Sequence, residues 1–102
     1  MKNLTNQEWK KLTEEDSSCV ILDVRTDDEY QEARIPRAVL ANVMNPPAFM
    51  ECVQSLDKNK NCFVYCKSGS RSLQACAVLE YLGFENIYNL TEGISGWDGE
   101  MV

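Results

Sequence analysis

Cys66 opens the string Cys66-Lys67-Ser68-Gly69-Ser70-Arg71, directly after the apolar run Cys62-Phe63-Val64-Tyr65. A cysteine followed by small residues and two cations has the makings of a nucleophile, provided its thiol is converted to thiolate near neutral pH. The chain contains no histidine. That removes the Ser-His-Asp triad, the Cys-His dyad and histidine metal sites together. Any activation of Cys66 therefore has to come from backbone dipoles and from Lys or Arg.

The elements on either side supply those dipoles. Residues 62–65 are β-branched and aromatic and read as a buried strand. From Ser72 to Leu82, the residues Leu73, Ala77, Val78, Tyr81 and Leu82 recur at helical spacing, and Gly83 suits the C′ position. Cys66 thus falls between a strand and a helix N-terminus, where free N–H groups and the helix dipole favour negative charge. Gly69 allows a positive φ and a close approach. The N–H groups of residues 67–71, Ser68 and Ser70 among them, can curl around an anionic sulfur as a nest. Ser70 or Ser72 is a candidate cap for the helix. Lys67 either favours anionic substrates or is a solvated surface lysine. Arg71 either forks onto substrate oxygens or pairs with an acid and holds the loop in shape.

The remaining chain reads as strands alternating with helices. Thr5 and Glu8 form a capping box for a first helix running to about 12–15, with Leu4 stapled to Trp9. Val20-Ile21-Leu22-Asp23-Val24 is a buried parallel strand. Asp27, Asp28 and Glu29 suit the first turn of a short helix. Residues 39–43 read as a strand, and Pro46-Pro47 opens a helix with Phe49, Met50, Val53 and Leu56 on one face. Ile87-Tyr88-Asn89-Leu90 is a last strand, followed by a short closing helix over 92–97, with Trp97 as a core aromatic. This order predicts an α/β fold with a parallel sheet covered on both faces. Ligands of such sheets bind at the carboxyl ends of the strands, where Cys66 and Asp23 both lie. Arg25 and Glu29, four apart, are a candidate ion pair.

Bulk properties narrow the function. The 102 residues fit one domain spanning 1–102, with 44% hydrophobic residues for a modest core. A net charge of −6 argues against nonspecific binding to nucleic acid or to anionic membranes. Residues 1–8 lack the hydrophobic core of a signal peptide, and no apolar stretch approaches a membrane span, so a cytoplasmic location is expected. Five cysteines at irregular spacing do not form a disulfide framework. Cys62 and Cys66 stand roughly 13 Å apart along a strand and cannot share a metal. Cys19, Cys52 and Cys76 read as buried apolar residues.

Several short motifs resemble those of the rhodanese-like domains: Asp23-Val24-Arg25 with Glu29-Tyr30, Ile35-Pro36 with Ala38, and Cys66-x-x-Gly69-x-Arg71-Ser72. Gly83-Phe84 with Asn86-Ile87, and Gly93 with Trp97, complete the set. They occur in the family's order over nearly the whole chain, from about Leu4 to Trp97. Where the family usually has Gly-His-Ile-Pro-Gly-Ala, this chain has Ala33-Arg34-Ile35-Pro36-Arg37-Ala38, and Glu92 replaces the first of a glycine pair. The resemblance implies a rhodanese-like three-layer sandwich and a sulfurtransferase without a cofactor. Such an enzyme takes a sulfane sulfur from thiosulfate, a polysulfide or a persulfide onto Cys66. It passes the sulfur to a thiophilic acceptor, which is a small molecule or an acceptor protein. By the same resemblance Arg25 is an architectural ion-pair residue. Asp23 orients the loop or satisfies backbone donors. Phosphatases and arsenate reductases of related folds carry a cysteine–arginine loop one residue longer, a wider cradle suited to a tetrahedral oxyanion.

Overall fold

The computed structural model describes residues 1–102. Ten elements follow one another: β1 (Lys2–Leu4), α1 (Asn6–Glu15), β2 (Val20–Asp23), α2 (Asp27–Glu32), β3 (Ala38–Leu40), α3 (Pro46–Gln54), β4 (Cys62–Tyr65), α4 (Ser70–Tyr81), β5 (Ile87–Leu90) and a 3₁₀ turn (Ile94–Gly96). All five strands join one parallel sheet in the order β1-β5-β4-β2-β3. The expected α/β architecture is present, with β4 at the centre.

Alternation along the central strands sorts side chains into two cores. Cys62, Val64 and Cys66 point to the face covered by Phe49 and Val53 of α3 and by Ala75, Cys76 and Leu79 of α4. Phe63 and Tyr65 point the other way, against Trp9 of α1, Ile35 and Leu90, with Tyr30 and Trp97 at the margin. Trp9 is fully buried and takes the rings of Phe63, Tyr65 and Trp97 edge-on at 5.5–5.9 Å. No helix is long and apolar enough to cross a membrane.

The helix starts are capped as their sequences require. Thr5 and Glu8 form the capping box of α1, and Thr26 with Glu29 forms a second one at α2. Asn45 caps α3, whose first turn holds the two prolines. Helix α4 differs: its N-cap is Gly69, in a left-handed conformation, and neither Ser70 nor Ser72 caps it.

Other departures from expectation have local causes. Strand β1 pairs with β5 from Lys2 to Leu4, where the sequence shows only one apolar residue and so no alternation to read. The third strand ends at Leu40. Ala41 and Val43 still donate to the carbonyls of Asp23 and Val24, so the chain runs on beside β2. Cys19 and Cys52 are half-buried, and so is Trp97. Arg37, where the family has glycine, adopts φ 73°. Its guanidinium donates to the carbonyls of Thr13 and Asp16 at 3.0 and 3.1 Å, tying the end of α1. Those bonds offset a left-handed strain of about 1 kcal/mol.

Candidate active site

Strand β4 delivers Cys66 to the carboxyl edge of the sheet, and the chain then turns through Lys67, Ser68 and Gly69 into α4. Two glycines make that turn possible. Gly69 has φ 105°, and a Cβ there would lie 2.3 Å from the Thr91 carbonyl oxygen. Gly93 has φ 67°, and its Cβ would lie 2.3 Å from the Lys67 carbonyl oxygen. The loop and the 91–95 segment are therefore pressed backbone to backbone. Ile94 N–H donates to the Cys66 carbonyl at 2.9 Å, and Ser95 N–H donates to the Lys67 carbonyl at 3.0 Å. With those carbonyls held outward, the loop's N–H groups are left for the sulfur.

Cys66 is only 1% exposed. Gly69 N–H donates to its Sγ at 3.1 Å, and the Ser72 hydroxyl lies 3.4 Å from the sulfur. Burial alone pushes the thiol up. The Ser72 hydroxyl and the N–H groups of Ser72, Gly69 and Ser68 outweigh it, and Cys66 settles below the ordinary thiol value. The other four cysteines go the opposite way. Burial pushes Cys62 and Cys76 up to about 12, and raises Cys19 and Cys52 as well. Cys66 is thus the one thiol of five drawn below its ordinary value.

Ser72 does not cap α4; its hydroxyl lies against the sulfur instead. The Ser72 hydroxyl also donates to the Gly69 carbonyl at 3.0 Å. It has one proton. While the sulfur is a thiol, S–H donates to Ser72 Oγ and the hydroxyl proton serves Gly69. Once the sulfur is a thiolate, turning the hydroxyl adds its proton to the N–H donors around the sulfur. A serine six residues after the cysteine is the only sequence signal for this.

A charged framework surrounds the loop. Asp23, fully buried, accepts from the Arg25 guanidinium at 2.6–3.1 Å, from Arg25 N–H at 3.0 Å and from the Tyr65 hydroxyl at 2.7 Å. Arg25 also donates to the Ala33 carbonyl, and Tyr65 accepts from Ile35 N–H. These bonds join β2, β4 and the 33–35 segment beneath the loop. The candidate pair Arg25–Glu29 does not form. Arg25 precedes the N-cap of α2 and lies outside the helix, so helical spacing does not govern it. Glu29 instead accepts both arms of Arg71, which draws it down to about 2. Of the two alternatives for Arg71, the structure shows the pairing with an acid. Lys67, Ser68 and Ser70 are exposed at the rim.

A five-stranded parallel sheet with a cysteine cradle at its carboxyl edge defines a class, and likeness to known proteins identifies it. The family model for the rhodanese-like domain matches residues 5–100. YtwF of Bacillus subtilis (strain 168) is 35% identical over 100 residues, covering 98% of this chain and 93% of that protein. A protein named Sulfurtransferase from Allochromatium vinosum is 35% identical over 78 residues, 76% of this chain and 70% of that one. The crystal structure of a rhodanese-like domain protein from Staphylococcus aureus superposes with a TM-score of 0.83 at 32% identity, covering 98% of this chain and 94% of that one. The chain belongs to the rhodanese-like domain family.

Proposed function

We propose that this protein is a sulfurtransferase that carries a sulfane sulfur as a Cys66 persulfide. The observation that carries the reading is the geometry at the buried Cys66 Sγ, which lies 3.1 Å from Gly69 N–H and 3.4 Å from the Ser72 hydroxyl oxygen. The thiolate attacks the outer sulfur of a donor such as thiosulfate. The new S–S bond forms as the donor's own S–S bond breaks, and sulfite leaves with the electron pair. The terminal sulfur of the persulfide keeps the negative charge, and the loop donors that favoured the thiolate favour it too. A thiophilic acceptor then attacks that sulfur, and Cys66 departs as thiolate. No proton is removed from carbon or oxygen, so the chemistry does not call for a histidine. Polysulfides and persulfides fit the same step as donors.

Intact mass spectrometry after thiosulfate treatment tests this. We expect a gain of about 32 Da, one sulfur atom, lost on adding cyanide and absent in Cys66→Ser. A gain that survives in Cys66→Ser, or that maps to another cysteine, would overturn the assignment.

A further inference from the structure

The segment 91–97 that presses on the cysteine loop is itself seated on the corner between β1 and α1. At one end Thr91 N–H donates to the Leu4 carbonyl at 3.1 Å. At the other end the Asn6 side-chain amide donates to the Gly96 carbonyl. The two holds differ in kind. The first runs from backbone to backbone and asks little of the sequence. The second depends on one side chain, and no other side chain from outside the segment hydrogen-bonds to it. Between the two holds lie Ile94 and Ser95, whose N–H groups take the Cys66 and Lys67 carbonyls.

Asn6 opens α1, yet the helix start makes no use of its side chain, because Thr5 and Glu8 close the capping box without it. The residue is nonetheless only 8% exposed, and its Oδ1 meets no donor. A buried amide left half satisfied carries a desolvation cost. Helix formation therefore does not account for an asparagine here, whereas the contact with Gly96 does. The fit is close: a Cβ on Gly96 would lie 3.0 Å from Asn6 Nδ2.

We propose that Asn6 is a positioning residue for Cys66, acting through the Gly96 carbonyl and the N–H groups of Ile94 and Ser95. A carbonyl accepts only from a donor, so the NH₂ group of the side chain is the part that counts. With it in place, the 3₁₀ turn stays down on the loop and the Cys66 and Lys67 carbonyls stay turned outward. The Gly69 N–H then stays aimed at Sγ. Without it the turn can lift, the loop's peptide planes are free to rotate, and the sulfur loses donors it needs as an anion. The part Asn6 plays in the reaction rests on the Cys66 persulfide reading; its effect on the thiol does not.

Asn6→Asp is the sharpest variant. It keeps the shape of the side chain and sets a second acceptor against the Gly96 carbonyl. Its charge suits the first turn of a helix, so α1 is not weakened. Asn6→Ala removes the amide altogether. Ile87→Val is the comparison: Ile87 is buried and pairs with Cys62, at the far end of β4 from Cys66. Urea denaturation ranks the variants for stability, and peptide-resolved alkylation against pH gives the Cys66 midpoint. Both Asn6 variants should raise that midpoint by roughly half to one pH unit, which slows Cys66 alkylation at pH 7 by about three- to tenfold. Ile87→Val should lower stability and leave the midpoint where it is. Loading from thiosulfate should slow in the Asn6 variants at pH 7 and recover as pH rises, because the thiolate then forms unaided. An unchanged midpoint in both Asn6 variants, an equal rise in Ile87→Val, or a loading deficit of the same size at every pH would overturn the inference. Where an Asn6 variant does not fold, Gly96→Ala carries the test, because its methyl crowds Nδ2 from the other side; an unchanged midpoint there overturns the inference equally. If the wild-type protein fails to load, the persulfide reading falls, and the midpoints alone still decide whether Asn6 positions the thiol.

Discussion

Arg71 and Glu29, 42 residues apart in sequence, meet fork to fork: Nη1 donates to Oε1 at 2.7 Å and Nη2 to Oε2 at 3.1 Å. Arg71 lies in the first turn of α4, and Glu29 belongs to the capping box of α2. One carboxylate therefore closes a helix start through Thr26 and fastens the helix that carries the loop.

Glu29→Gln separates those two roles, because glutamine can still accept from Thr26 and loses the charge for Arg71. Glu29 sits at about 2 in the folded protein against an ordinary 4.5. The pair's stabilisation is thus complete above pH 4.5 and is lost as pH falls toward 2. Because both side chains are partly open to solvent, the difference should be about 1 kcal/mol at neutral pH. Urea denaturation at pH 7 and pH 3 should show the gap between the two proteins narrowing with acid. A gap of constant size would mean that the charge is not its source.

Cys66 should be the fastest of the five thiols to alkylate below pH 8, with a midpoint below that of a free cysteine. Ser72→Ala removes one of its stabilising groups and should move that midpoint upward by up to about one unit, equivalent to about 1.4 kcal/mol. Peptide-resolved alkylation rates against pH provide the measurement. An unchanged midpoint in Ser72→Ala would leave the backbone N–H groups as the sole source of activation.

Gly93→Ala should cost about 2 kcal/mol and abolish persulfide loading, since the added methyl collides with the Lys67 carbonyl. Gly83→Ala is the comparison. Its φ of 95° is also left-handed, but no atom lies within 4 Å of the new Cβ. It should cost about 1 kcal/mol from backbone strain alone, with loading unchanged. Similar loading by both variants would show that contact between Gly93 and the loop is not needed.

The ring from Cys66 to Arg71 is one residue shorter than that of the related oxyanion enzymes. It closes on Sγ with Gly69 N–H at 3.1 Å. The unmodified protein should therefore show negligible aryl phosphate hydrolysis under conditions where it transfers sulfur. Inserting one glycine after Gly69 should depress sulfur transfer, because it moves the N–H donors off the sulfur. Robust phosphatase activity in the unmodified protein would overturn the argument from loop length.

What the sequence discloses here is what depends on neighbours in the chain. The run 62–65, the loop and the helical spacing after it place Cys66 correctly, because each signal is local and all agree. Gly69 and Gly83 are legible for the same reason: each takes the positive φ expected of it. Strand β1 is not legible, since its three residues become a strand only by lying beside β5. The partner of Arg71 is hidden too, because it comes from a different helix. The Arg25–Glu29 expectation applied helical spacing to a residue outside the helix, while Asp23, two residues back, offered a closer acceptor. The place of Ser72 against the sulfur follows from the left-handed turn at Gly69, whose conformation the sequence permits without specifying what it brings together.

The backbone bonds from Ile94 and Ser95 to Cys66 and Lys67 have a mechanical consequence. The cradle is moulded from outside, by a segment that contributes no side chain to the sulfur and no strand to the sheet. The shape of the loop thus depends on a segment outside the sheet, one that leans on the second core only through Ile94 and Trp97. Fraying of residues 93–97 would leave five paired strands and the first core in place, strip Trp97 from the margin of the second, and leave the loop unshaped: a largely folded protein holding an ordinary cysteine.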